Sequence, residues 1–237
     1  MFFFIGFLIV VGSVLGGYMP HGDVRVLWQP LELLIIFGSA VGAFIIANPK
    51  HVLTGVGKHF GRVMKGSPHS KDAYIELLTL FYTIFRLAKA KGMLALESHL
   101  EDPEDSSIFQ PFPVFLSNHH AVEFMCDYLR LMTMGTENPH ELEALLDEEI
   151  EAHHKEAHDI SHAVTAMSDG LPAFGIVAAV LGVIVTMSSI AEPPEVLGGL
   201  IGAALVGTFL GILLAYGLVG PIGTSLGNYA DADTKYF

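Results

Sequence analysis

Hydroxyls supply most of the polar chemistry in two long apolar segments near the C-terminus of this 237-residue chain. Thr186, Ser188 and Ser189 lie in residues 171–191, and Thr208 and Tyr216 lie in residues 196–219. Apart from the Tyr216 phenol, neither segment carries a titratable side chain. A membrane protein that moves ions unaided normally keeps a carboxylate or a basic group inside the bilayer. These segments therefore read as helices that pack closely and line a path whose charge a partner supplies. Thr208 has two possible roles: it bonds back to its own helix, or it coordinates or relays a passing cation. Glu32 is an acid inside another apolar run. Placed after Gln29 and Pro30, it reads as an interfacial or hydrogen-bonded acid near the end of a span, with an ion-path role as the alternative.

Other groups with chemical potential lie in the polar middle of the chain. His154, His158 and His162 recur every four residues, with His153 alongside, and such spacing can hold a metal. Glu148, Glu149, Glu151, Lys155, Glu156 and Asp159 interleave with them, so a solvated charged face is the expected arrangement. A metal site and a pH sensor are the alternatives. Lys89, Lys91, Glu97, Glu101, Asp102, Glu104 and Asp105 form a mixed-charge patch around Gly92, suited to electrostatic docking. No phosphate-binding Gly-x-x-x-x-Gly-Lys loop, Gly-x-Ser-x-Gly elbow or Cys–Cys metal pair occurs, so the reading is not an enzyme and names no cofactor. Cys126 is the lone cysteine and reads as a small buried hydrophobe. A net charge of −13 argues against a nucleic-acid partner.

Four apolar runs must position these groups: residues 1–18, 31–47, 171–191 and 196–219. A hydrocarbon core of ~30 Å takes ~20 helical residues, so each is long enough or nearly so. The first run has no basic residue ahead of it and reads as a retained span, not a cleaved signal. Lys50, Lys58, Arg62 and Lys65 follow span two, whereas the first loop carries only Arg25 and the turn at residues 192–195 has no basic residue. The basic bias places residues 50–168, and with four spans both termini, in the cytoplasm. The expected organisation is spans one and two with a short periplasmic loop (1–49), a cytoplasmic helical domain (50–168), spans three and four (169–221) and a cytoplasmic tail (222–237).

The fold class expected is all-α, in and out of the membrane. Residues 70–90 form an amphipathic helix with Leu77, Leu78, Leu80, Phe81, Ile84, Phe85 and Leu87 on a broad apolar face. Gly92 interrupts, residues 94–100 resume, residues 102–113 are a loop, and residues 115–134 are helical. Asn138, Pro139 and Glu141 suit the N-cap, N1 and N3 positions of a long helix running toward Met167. In span four, Gly199, Ala203, Gly207, Gly211 and Ala215 recur every four residues, and span three has Gly175, Ala178, Ala179 and Gly182. Small residues on one face let helices approach closely in lipid, either within the chain or between copies. Pro172 opens span three and Pro221 closes span four, as helix punctuation or as hinges.

Several stretches together are similar to the MotA branch of the MotA/TolQ/ExbB family of flagellar stator and envelope-energising proteins. They are residues 169–180 (Asp-Gly-Leu-Pro-Ala-Phe-Gly-Ile-Val-Ala-Ala-Val), 206–217 (Val-Gly-Thr-Phe-Leu-Gly-Ile-Leu-Leu-Ala-Tyr-Gly), 29–33, 127–131 and 141–151. The two additional N-terminal spans favour this branch over TolQ and ExbB. The resemblance implies a multi-pass protein of the bacterial inner membrane, a pentameric ring of such subunits around MotB, and an ion-binding aspartate supplied by MotB. It further implies torque delivered to the rotor protein FliG, in contact with membrane lipid and without nucleic acid.

By the same resemblance, the family's paired prolines fall on Pro172 and Pro221, its membrane threonine on Thr208, and its rotor-facing charged pair on Lys89 and Glu97. Lysine at 89 departs from the usual arginine and lacks its planar fork; Lys91 could share the role. Sodium-type members carry threonine where Ala179 stands, so Ala179 implies protons as the transported ion, with sodium as the alternative. Many members continue beyond the fourth span, whereas this chain stops at Phe237, as a short form or a truncated one. An envelope energiser of the TolQ/ExbB kind is the rival reading, and a channel conducting without a partner is a further one.

Overall fold

In the computed structural model every regular element is helical among the described residues, which are 2–66, 69–135 and 138–237. The helices are α1 (Phe2–Tyr18), α2 (Pro30–Ala47), α3 (Lys50–Lys65), α4 (Lys71–Lys91), α5 (Glu97–Glu101), α6 (Pro113–Leu116), α7 (His119–Thr133), α8 (Pro139–Ser188), α9 (Pro194–Leu214) and α10 (Gly220–Thr234). Three apolar helical stretches are long enough to cross a membrane: Val24–Ala47, Pro139–Ser188 and Pro194–Thr234. Helix α1 is apolar but shorter, at 17 residues.

The chain divides into two compact units. The first holds residues 2–66 and 156–229. Its core joins Ile36 and Ala40 of α2 to Leu171 and Ala178 of α8, and to Ala215, Val219, Ile222 and Leu226 farther along the chain. Large apolar side chains point away from that core: Ile176, Val180, Ile184 and Met187 of α8 are exposed, as are Leu34 and Ile46 of α2. A helix apolar on all sides needs lipid or protein around it. Helix α3, not anticipated from the residues, follows α2 after Pro49 and packs Val63 into this core.

The second unit holds residues 69–155 and 230–237. Phe109, Phe115, Leu80, Ile84, Leu96, Leu100 and Cys126 are almost fully buried at its centre. Ser70 caps α4 by accepting from the Ala73 N–H at 3.3 Å. Gly92 ends α4 at a φ of +85°, a left-handed backbone that side chains rarely adopt. Glu76 of α4 accepts from the N–H groups of Val114 and Phe115 at 3.1 and 3.2 Å, fixing the start of α6. The helical run expected over residues 115–134 is broken near Asn118, whose side chain caps α7 through the Ala121 N–H. Asn138 caps α8 as anticipated, accepting from the His140 N–H and donating to Glu141.

Only part of the apolar face anticipated on α4 is buried. Leu80 and Ile84 enter the core, with Leu77, Phe81 and Leu87 half-buried against it. Leu78 and Phe85 instead join Ile75 and Tyr82 on an uncovered strip. The helix is apolar on two sides, and this unit covers one.

Candidate functional site

Neither Pro172 nor Pro221 ends a helix. Pro172 lies inside α8, which runs unbroken for 50 residues. Pro221 is the second residue of α10, which continues from α9 through a π-helical turn at Ala215–Val219 without leaving the helical path. Proline removes one i→i−4 bond and crowds the carbonyl before it. A π turn re-registers the backbone bonds, and such turns are frequent at functional sites.

The two helices are tied together beside both prolines. The Ser168 hydroxyl, one turn before Pro172, is buried and donates to the Ala215 carbonyl at 2.9 Å. The same carbonyl accepts the Gly220 N–H, an i→i+5 bond of the π turn. A Cβ on Gly220 would lie 2.9 Å from that carbonyl oxygen and 3.1 Å from Ser168 Oγ, so only glycine fits. The contact continues as Ser161 Oγ donates to the Gly223 carbonyl at 2.8 Å. An open cleft of about 460 Å³ borders this junction, lined by Thr165, Asp169, Tyr216, Pro221, Thr224 and Asn228 among others. Ser168 and Gly220 were not singled out from the residues, although a serine four positions before a helical proline is a readable signal.

Deeper in the first unit, α2, α8 and α9 converge on Gly207. A Cβ there would lie 3.1 Å from Glu32 Oε2, 3.2 Å from the Ala178 Cβ and 3.5 Å from the Ala179 nitrogen. Ala179 and Thr208 therefore share this level with Glu32. Thr186, Thr165 and Thr224 each donate back to the carbonyl four residues earlier; among the described residues, Thr208 makes no such bond. Glu32, read from the residues as an interfacial or hydrogen-bonded acid near the end of a span, lies in the first turn of α2. Its apolar stretch begins at Val24, eight residues before it, and its enclosed Oε2 has no hydrogen-bond partner.

The small-residue stripe of α9 serves contacts within the chain over its second half. A Cβ on Gly211 would sit 2.9 Å from the Gly175 Cα and 2.9 Å from the Leu171 carbonyl oxygen. Gly182 faces Ala204 in the same way. Gly199, at the start of the stripe, has nothing within 4 Å.

Lys89 and Glu97 belong to the second unit, separate from Pro172, Ala179, Thr208 and Pro221. Both are exposed, on either side of the Gly92 turn. Spacings of three and four residues place Lys89 on the helix face of Ile75, Leu78, Tyr82 and Phe85, so an uncovered apolar strip ends in a charge. The Arg86 guanidinium lies 5.9 Å from the centre of the Tyr82 ring. The histidines do not form one solvated face: His153 packs near Phe237 and His120, and His154 shares a hydrogen bond of 2.8 Å with Thr234. His162 is exposed. Burial is the main reason the Cys126 thiol is pushed up to about 11, with Arg130 opposing and Asp127 adding, so it is an inert packing group at neutral pH.

A model of the Motility protein A N-terminal region matches residues 4–92, and a model of the MotA/TolQ/ExbB proton channel family matches residues 117–236. The chain is 43% identical to Motility protein A of Salmonella typhimurium over 99% of its own length and 80% of that protein. It is 41% identical to chemotaxis protein LafT of Vibrio parahaemolyticus, over 94% of this chain and 79% of that one. The solved flagellar MotAB stator complex from Bacillus subtilis has a chain that matches with a TM-score of 0.78 at 25% identity, covering 98% of this chain and 83% of that chain. The C. jejuni MotAB structure shares the fold, with a TM-score of 0.80 at 20% identity over 99% of this chain and 84% of that one.

Proposed function

Because the chain belongs to the MotA/TolQ/ExbB proton channel family, among the Motility protein A relatives, we propose that it is the ring-forming subunit of a proton-driven flagellar stator. It crosses the inner membrane four times, with both termini and the α4–α7 domain in the cytoplasm. Five copies surround MotB, and protons pass between α8–α9 and the MotB helix. The flow turns the ring against FliG.

The observation that carries this reading is the chemistry of α8 and α9. They pack backbone to backbone at Gly175 and Gly211. Over residues 171–191 and 196–219 they hold no carboxylate or amine. Such a pair is a rigid wall with a free Thr208 hydroxyl and needs an acid from a partner to bind a cation. Ala179 adds no oxygen that would replace water around sodium, which favours protons. At the inner end, the Ser168–Ala215–Gly220 junction joins both prolines. A shift of either helix there is passed to the other, which is what coupling ion binding to ring movement requires. Lys89, Glu97 and the apolar strip of α4 supply the surface for the rotor. The match over residues 4–92 to the Motility protein A N-terminal region supports the flagellar branch over an envelope energiser.

The test is proton flux into sealed vesicles holding this chain with its cognate MotB. Flux with both proteins and none with either alone is the expected result. Flux with this chain alone would favour the unaided channel, and an absence of any complex with MotB would remove the stator reading.

A further inference from the structure

Glu32 is the acidic side chain that the stator reading leaves without work. Its Oε2 is enclosed, makes no hydrogen bond, and points to the one position on α9 where glycine admits it. Val26 lies beside Gly202 and Glu32 beside Gly207, so the residues before α2 run alongside α9. Gly207 is the fourteenth residue of α9; at ~1.5 Å per residue it lies roughly 20 Å from the start of that helix. Counting the other way, Ala47 ends α2 fifteen residues after Glu32, roughly 22 Å away. The carboxyl thus sits within the thickness of the membrane unit, level with Thr208 and Ala179.

An enclosed carboxylate oxygen without a donor is costly unless a proton or cation neutralises it. A purely structural acid would hold a serine hydroxyl, an amide or a backbone N–H; Ser168 and Ser161 show that this unit satisfies its structural polar groups in that way. The side chain as a whole is only half-buried, so the group is not sealed from the medium. Among the described residues, α2 has no other titratable group, and α8 and α9 have none at this depth. Asp23 and Arg25, on the turn before α2, are both exposed, and the Asp23 carboxylate accepts the Arg25 N–H.

We propose that Glu32 is a second proton-binding station of the ion route, contributed by this chain in addition to the partner's carboxylate. This rests on the stator reading. A proton from the outer medium adds to Glu32 to form the O–H bond; that bond breaks as the proton passes to the partner's carboxylate, and Glu32 returns to its anion. The Thr208 hydroxyl, next to Gly207, offers an intermediate oxygen. Gly207 is glycine because a side chain would occupy the place of the carboxyl.

The experiment expresses the full complex in stator-less flagellated cells and measures low-load motor speed, where ion transit limits rotation. Glu32→Gln keeps shape and removes proton exchange, and speed falls by about tenfold or more, as expected for loss of a positioned proton-transfer group. Glu32→Asp keeps much of the speed. Unchanged speed in Glu32→Gln overturns the proposal. Should Glu32→Gln fail to assemble, labelling of the native complex by dicyclohexylcarbodiimide decides: mass spectrometry finds the adduct on Glu32, and an unlabelled Glu32 overturns the station. A native complex that never rotates would count against the stator reading itself.

Discussion

Substituting Gly211 by alanine tests the close approach of α8 and α9 on which the proposed ion path depends. The new methyl would meet the Gly175 Cα at 2.9 Å and the Leu171 carbonyl oxygen at 2.9 Å. Carbon contacts are comfortable at about 3.5–4.0 Å, so the helices must separate by roughly half an ångström or more. Both obstacles are backbone atoms, and no side chain can rotate away. Because only backbone can give way, the overpacking cost lies in the upper part of the usual range, about 2–3 kcal/mol, and the helix-forming advantage of alanine over glycine returns about 1 kcal/mol. The net loss is about 1–2 kcal/mol, which lowers the melting midpoint by roughly 2–8 °C for a unit of this size. Gly199→Ala is the matched control, because nothing lies within 4 Å of it; it gains the helix term alone and melts at or above the native protein. Thermal unfolding of the purified complex in nanodiscs, followed by far-ultraviolet circular dichroism, reads both variants. Equal behaviour of the two glycines, or a Gly211→Ala midpoint at the native value, would refute the packing.

Pro172→Ala restores a backbone N–H in the middle of α8, in the turn that begins at Ser168; proton flow in vesicles persists while swimming is lost, and normal swimming would count against a coupling role. Reversing the charge at Lys89 or at Glu97 weakens torque without altering complex assembly, and a matching reversal on the rotor restores part of it; full torque in each single reversal would contradict a rotor contact there. The Tyr128 hydroxyl lies 2.6 Å from Glu149 and 3.0 Å from the Leu145 carbonyl. Burial first, then the bond to Glu149 and the charges of Glu149 and Asp127, push it from 10.0 up to about 12. The neutral phenol is favoured in the folded state, so its stabilisation is complete below pH 10.0 and disappears as pH rises through about 12. Tyr128→Phe should flatten the loss of stability in that window, as read by denaturant unfolding at stepped pH, and an unchanged profile would sink the assignment.

The apolar helices were legible because uncharged apolar runs have few other uses; among the described residues three are long enough to cross a membrane, and α1 is shorter. Capping was legible at Ser70, Gly92 and Asn138, where one residue type matches one backbone need. The prolines were not: punctuation and interior kink use the same residue, and the choice depends on Ser168 and Gly220, which only the folded pair brings together. Glu32 was legible only in part: the stretch before it, interrupted by Gln29 and Pro30, reads as loop, whereas residues from Val24 pack along α9. On α4, one apolar face cannot be told from two by spacing alone: Leu78 and Phe85 share the broad apolar face with Leu80 and Ile84, yet only the latter two are buried. The small-residue stripe signalled close packing without naming the partner; at Gly211 the partner is the chain's own α8. The position of Lys89 on the uncovered strip follows from helical spacing once the buried face is known.

The central claim, a stator driven by protons, is tested most directly by the swimming speed of stator-less cells carrying this chain and its cognate MotB. The speed is compared in sodium-free and sodium-rich buffer, and again with a protonophore. Swimming that ignores sodium and stops with the protonophore is the expected result. Swimming that requires sodium would contradict the proton assignment resting on Ala179, and no swimming by a correctly assembled complex would contradict the stator itself.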